Sequence, residues 1–171
     1  IALIGVLAVA LVATLNPIEQ INRGRDTGSR SDAEQLLSAI DRYYTVQTLW
    51  PWQDDVDDPV AVAWEEADTV ETPGGVDVLD NLSANASAEI KDSFVERLSA
   101  DTYNDLFIYF RGTQGDSVYI CYYPKSGAFE EEAERRCAAG MPTDLEDPAL
   151  TLVCDTDLDT DGIADPAICL P

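Results

Sequence analysis

Apolar positions along this chain fall into three unlike patterns. The first fifteen residues, IALIGVLAVALVATL, carry no charge and hold nine large branched aliphatics, with no polar face at any period. A helix of that composition buries itself on every side. At the helical rise the run spans roughly 22 Å, short of the ~20 residues that cross a bilayer. Burying its nine branched side chains is worth roughly 14 to 27 kcal/mol gross, so the run belongs in lipid or among copies of itself.

The second pattern begins where Asn16-Pro17 interrupts the helical hydrogen-bond ladder. Gly24 and Gly28 each weaken a helix by about 1 kcal/mol relative to alanine, which predicts a pliable joint over 16–30. From Ser31 onward, Ala33, Leu36, Leu37, Ile40 and Tyr44 recur at helical spacing and form one stripe facing a core. An amphipathic half-helix over 31–50, stopped by Pro51, is expected.

The third pattern is a series of short elements over 51–171. LFIYFR at 106–111 and SVYICYY at 117–123 are rich in aromatic and β-branched residues, and the GTQGD between them predicts a hairpin. FEEEAERRCAA at 129–139 places acids in its first turn and arginines in its last, with Gly140 as its stop. Ser87 to Ala100 reads as a short helix with Ile90, Phe94, Val95 and Leu98 inward, Thr72 to Asp77 as a turn, and Thr151 to Cys154 as an edge strand ahead of an acidic tail. Trp50, Trp52 and Trp64 are expected to seal the core and not to form a sugar-stacking platform. The predicted fold class is α+β, a long N-terminal helix packed on a small antiparallel sheet. Two regions follow: the helix over 1–50 and an acidic globular domain over 51–171.

Charge sharpens this division. The chain of 171 residues holds 33 acidic and 10 basic residues and no histidine, a net charge of -23. Residues 1–50 contribute five acids and four bases, and residues 51–171 contribute 28 acids and six bases. Such a surface repels phosphate backbones, so no direct nucleic-acid binding is expected. Without histidine there is no Ser-His-Asp or Cys-His catalysis and no histidine zinc site. Close carboxylate pairs arise by chance in so acidic a chain, and no enzyme is expected. Cys121, Cys137, Cys154 and Cys169 lack CxxC spacing and suit two disulfides formed outside the cytoplasm. Sequence-adjacent pairing, Cys121 to Cys137 and Cys154 to Cys169, is expected. Asn81-Leu-Ser83 and Asn85-Ala-Ser87 match the glycosylation sequon.

The segment Asp155-Thr-Asp157-Leu-Asp159-Thr-Asp161-Gly162-Ile163-Ala-Asp165 carries the sharpest chemical signal. Aspartates at alternate positions converge on one centre when the backbone coils round an ion, and the glycine permits the sharp turn. Asp157, Asp159, Asp161, the carbonyl of Ile163 and Asp165 are the candidate ligands of one Ca2+, with Asp155 as an outer helper. The loop over 155–165 is similar to EF-hand-like and thrombospondin type 3 calcium loops. Position 12 is Ile168 and not the bidentate glutamate of an EF-hand, which implies a static brace. Oxygen-only donors favour calcium over transition metals.

The run IALIGVLAVALVATLNPIEQINRGRDTGSRSDAEQLLSAIDRYY resembles the N-terminal helix of type IV pilins and type II secretion pseudopilins. The sequence lacks the aromatic residue and glutamate that follow the prepilin-peptidase cut in that family, and its Pro17 lies about one turn late. The resemblance implies a pilin-like subunit that waits in the inner membrane, is handled by a pilus assembly machinery, and polymerises with copies of itself into an extracellular helical filament. Ile1, Ile4, Leu7, Leu11, Leu15 and Pro17 would belong to its assembly helix. The alternatives are a type II secretion pseudopilin and a membrane-anchored calcium-dependent adhesin that never polymerises.

Overall fold

The structure, a computed structural model, describes residues 16–84, 88–100, 104–158 and 162–171. Its spine is α1 (Pro17–Gln47), 31 residues long. Asn16 is extended (φ -77°, ψ 96°), its side-chain oxygen accepts from the Glu19 amide, and Pro17 takes the first helical position, where a missing amide costs nothing. Asn16-Pro17, where the sequence predicts an interruption, is the N-terminus of α1. The helix ends at Thr48, whose φ of 60° is left-handed and whose amide donates to Tyr44 O, three residues before Pro51.

Residues 17–30, most of the expected joint, are continuous helix through Gly24 and Gly28. Tertiary contacts support these turns. The buried Asp26 carboxylate accepts from the amides of Lys125 and Ser126, both at 2.9 Å, and from the Ser126 hydroxyl. Arg30 is ion-paired with Glu132 at 2.8 Å. Such charge-assisted bonds are stronger than neutral ones and hold the turns that the glycines weaken.

Four antiparallel strands form one sheet in the order β1 (Val62–Glu66), β2 (Phe107–Phe110), β3 (Tyr119–Tyr122) and β4 (Ile168–Leu170). The β2–β3 hairpin expected from the sequence is present, with Phe107 opposite Cys121 and Tyr109 opposite Tyr119. Side chains alternate across a strand. Ile108, Phe110, Ile120, Tyr122 and Ile168 join Ala33, Leu36, Ala39 and Ile40 of α1 in the main core. Tyr109, Tyr119, Cys121 and Cys169 face the other way and pack with Leu145, Ala149 and Val153. Covering on both faces explains why all four residues of β3 are buried and why its sequence reads as a continuous apolar run.

Short helices complete the layers: α2 (Val78–Ser83), α3 (Asp92–Leu98), α4 (Gly127–Ala139) and α5 (Ala149–Cys154). α3 turns Phe94 and Leu98 inward beside the buried Ile90, while Val95 is only partly buried. The edge strand expected at Thr151 to Cys154 is instead α5, because the Leu152 amide donates to Pro148 O and the Asp155 amide to Thr151 O. Nor does the chain end as an acidic tail: Ile168 to Leu170 return to the sheet beside β3. That return also corrects the disulfides. Cys121 and Cys169 are directly opposed across β3 and β4 with Cα atoms 4.0 Å apart, and they form one bridge. Cys137 of α4 and Cys154 of α5 form the other at 5.7 Å. Strand register overrides adjacency in sequence.

Tryptophan placement follows the expected sealing role. Trp50 stacks between Tyr44 at 4.2 Å and Trp52 at 5.3 Å and tilts onto Phe110. Tyr44 is thereby held at the helix end, half open to solvent, and does not extend the buried stripe. Trp64 sits at a bulge of β1 with φ 68° and stacks on Phe107 at 5.2 Å.

Candidate functional site: the acidic loop and the start of the long helix

The acidic loop hangs from the C-terminal end of α5 and is closed by backbone bonds. The Asp165 amide donates to Thr156 O at 2.6 Å and the Ala167 amide to Val153 O at 2.7 Å. Two of its aspartates hold the loop from within. Asp157 Oδ2 accepts from the Gly162 amide and Asp165 Oδ2 from the Leu158 amide, both at 2.8 Å. Gly162 has φ 87°, a conformation that favours glycine and matches its expected place at the sharp turn. Asp157, Asp165 and the exposed Ile163 are thus brought onto one loop, with Asp155 exposed at its entrance. Asp159 and Asp161 lie outside the described residues. Among the described residues no three acidic, cysteine or histidine side chains are grouped to hold a metal ion. The disulfide Cys154 to Cys169 expected to close this loop does not form. Each of those cysteines is tied to a different part of the core, Cys154 to α4 and Cys169 to β3.

One carboxylate near the loop escaped the sequence argument. Glu130, in the first turn of α4, has its pKa raised by burial first and then by the charge of Asp165. A cation in the loop would relieve that repulsion. The motif gave no sign of Glu130, because the two residues are distant in sequence and only the fold brings the charge of Asp165 within range of Glu130.

The other candidate is the assembly helix. Ile1, Ile4, Leu7, Leu11 and Leu15 lie outside the described residues, whereas Pro17 is the first residue of α1. The described helix carries two unlike stripes at three- and four-residue spacing. Asp26, Ser29, Ala33, Leu36 and Ile40 are buried against the domain, so the core-facing stripe starts two turns earlier than its apolar members suggest. Ile18 and Ile21 lie on another face, 68% and 57% exposed. Among the described residues no helix is long and apolar enough to cross a membrane.

Asn81 is half buried and its side-chain nitrogen donates to Pro51 O at 2.8 Å, so this sequon's acceptor atom is engaged inside the protein. Asn85 lies outside the described residues. No family model, curated protein or solved structure matches the chain.

Proposed function

We propose that this protein is the structural subunit of an extracellular type IV pilus-like filament that polymerises through its N-terminal helix. The observation that carries the reading is the union of an uncharged fifteen-residue apolar run with a helix laid by one stripe across a four-stranded antiparallel sheet. Such a helix hands its apolar end from lipid to neighbouring copies. In lipid there is no hydrophobic force between helices, and close packing of small and aliphatic faces drives their association. The domain stays outside the resulting bundle and displays the acidic surface. The disulfides fit an oxidising exterior, and a calcium ion on the 155–165 loop would brace that surface through Asp157, Asp159, Asp161, the Ile163 carbonyl and Asp165.

Electron micrographs of the native full-length protein should show thin filaments. Replacing both Leu7 and Leu11 with lysine should abolish them, since each lysine would place an unpaired charge in a dry bundle. Detergent-extracted monomers with no filaments would favour the non-polymerising adhesin. Filaments undiminished by the two lysines would defeat the burial mechanism.

A further inference from the structure

We propose that the two ends of α1 are the halves of a single intermolecular contact, in which the C-terminal end of one copy docks on the N-terminal end of the next. This inference rests on the polymerising reading and specifies which surfaces meet. At the N-terminal end, Ile18 and Ile21 are exposed, and Arg25 continues their face one turn on. Arg25 is exposed and its side chain has no ion-pair or hydrogen-bond partner among the described residues. Lys125 lies against the same end of the helix: its backbone is held by the Asn22 side chain and the Asp26 carboxylate, while its ammonium is exposed and unpaired among the described residues. This end is apolar and cationic in a chain of net charge -23.

The opposite end has the complementary character. Val46 is 63% exposed on the last turn of α1 and Val56 is 75% exposed at the tip of the following loop. That loop is a built projection and is fixed to the end of α1. The Gln53 side chain accepts from the Trp50 amide and donates to Asp58 O, and Trp50 is stacked on Tyr44. Asp58 Oδ2 accepts from the amides of Asp54 and Asp55, both at 2.7 Å, and Asp54 accepts from Gly74. Those two carboxylates are used inside the protein. Asp57 is exposed with no partner for its carboxylate among the described residues, and the carboxylate of Asp55 beside it accepts only from the Asp57 amide among them. Val56 thus stands between two outward acids, as Ile18 and Ile21 stand beside two outward bases.

These faces cannot meet within one chain, because about 24 residues of helix separate them, roughly 36 Å at 1.5 Å per residue. Only a second copy can match them. A contact between different patches on identical chains is heterologous and propagates into a filament unless it closes into a ring. It also places opposite charges together where subunits of this net charge would otherwise repel.

Zero-length carbodiimide coupling of the assembled full-length protein tests the contact directly. Lys91 and Lys125 are the only lysines, so digestion yields few amide-linked peptides. The expected product joins Lys125 to Asp55 or Asp57, and dilution before coupling should remove it. Filaments that give no such link, or that link only Lys91, overturn the contact and leave the polymer reading standing. Linked oligomers without filaments uphold the contact and defeat that reading. Absence of any self-association overturns both. In a second arm, Arg25→Glu and Asp57→Lys should each lower polymer yield at least tenfold at low salt, and the two together should restore it. Both side chains are exposed and have no partner among the described residues, so neither change removes a folding contact seen there. Failure of the double variant to recover assembly, with each variant folded, would count against the pairing.

Discussion

Asp26 shows how one residue can reverse the character of a segment. Its carboxylate is fully buried, yet the Lys125 and Ser126 amides and the Ser126 hydroxyl all donate to it. Those donors lie just ahead of α4, so the side chain joins α1 to the start of that helix. Replacement by alanine strands the donors without water, and a buried donor left unsatisfied costs about 1 to 3 kcal/mol. Asp26→Ala should therefore destabilise the domain by roughly 3 kcal/mol or more, because several donors are lost together. Exposed Arg23→Ala, which breaks only a helical pair with Glu19, should cost less than about 0.5 kcal/mol. Urea unfolding of the two variants decides it. Equal effects would show that Asp26 is not the tether described.

Among the elements, legibility follows how local the cause is. The β2–β3 hairpin, α4 and the stripe of Ala33, Leu36 and Ile40 were readable because composition and period within one segment specify them. β1 and β4 were not. β1 is an edge strand with exposed Glu65 and Glu66 and a bulge at Trp64, so its alternation is broken, and β4 is only three residues long, placed by pairing with β3. α5 holds Thr151 and Val153, residues that suit strands, and becomes helical because its turns are capped and its inner face covers the sheet. The extension of the buried stripe of α1 back to Asp26 and Ser29 was not legible, because both residues are polar and only their burial shows that they keep its spacing. The acidic loop was legible as a motif, and the influence of its Asp165 on Glu130 was not, because only the fold brings that charge within range. The disulfides carry a prediction at this scale. Closing 48 residues limits the unfolded chain more than closing 17, worth roughly 4 against 3 kcal/mol in the chain-entropy account. Replacing Cys121 and Cys169 by serine should thus lower stability more than replacing Cys137 and Cys154, and should also release β4. Calorimetric melting of the paired variants measures the order, and the reverse order would show that the α4–α5 bridge dominates.

At the scale of the whole molecule, the few carboxyl groups that folding shifts, among the described residues, fall into two classes with opposite pH dependence. Hydrogen bonds from Arg30 to Glu132 and from Arg111 to Asp116 hold those pKa values low. Burial opposes the charged form of Asp144, but the Ser117 amide and the Tyr119 hydroxyl outweigh it and its pKa also falls. Groups lowered on folding contribute stability that is present above their unfolded values and lost as pH falls through the folded ones. Glu130, Glu66 and Asp77 are the reverse: burial raises all three, aided at Glu130 by Asp165 and at Glu66 by Asp105. Their penalty is present at neutral pH and is relieved as acidification protonates them in the folded state. The net charge of -23 adds self-repulsion that acid also reduces. Stability should accordingly rise from pH 7 to about pH 5 and fall below about pH 4. A calcium ion on the 155–165 loop would act on the same repulsion between Glu130 and Asp165. Millimolar calcium, the range of extracellular modules, should therefore raise the melting temperature at pH 7 and do so less in acid, where protonation of the raised Glu130 carboxyl already relieves that repulsion. Glu130→Gln should raise the melting temperature in chelator and shrink the calcium increment at pH 7. Melting curves that are identical in calcium and in chelator at pH 7 would remove the ion from this account, while a Glu130→Gln variant with an unchanged increment would remove only its coupling to α4.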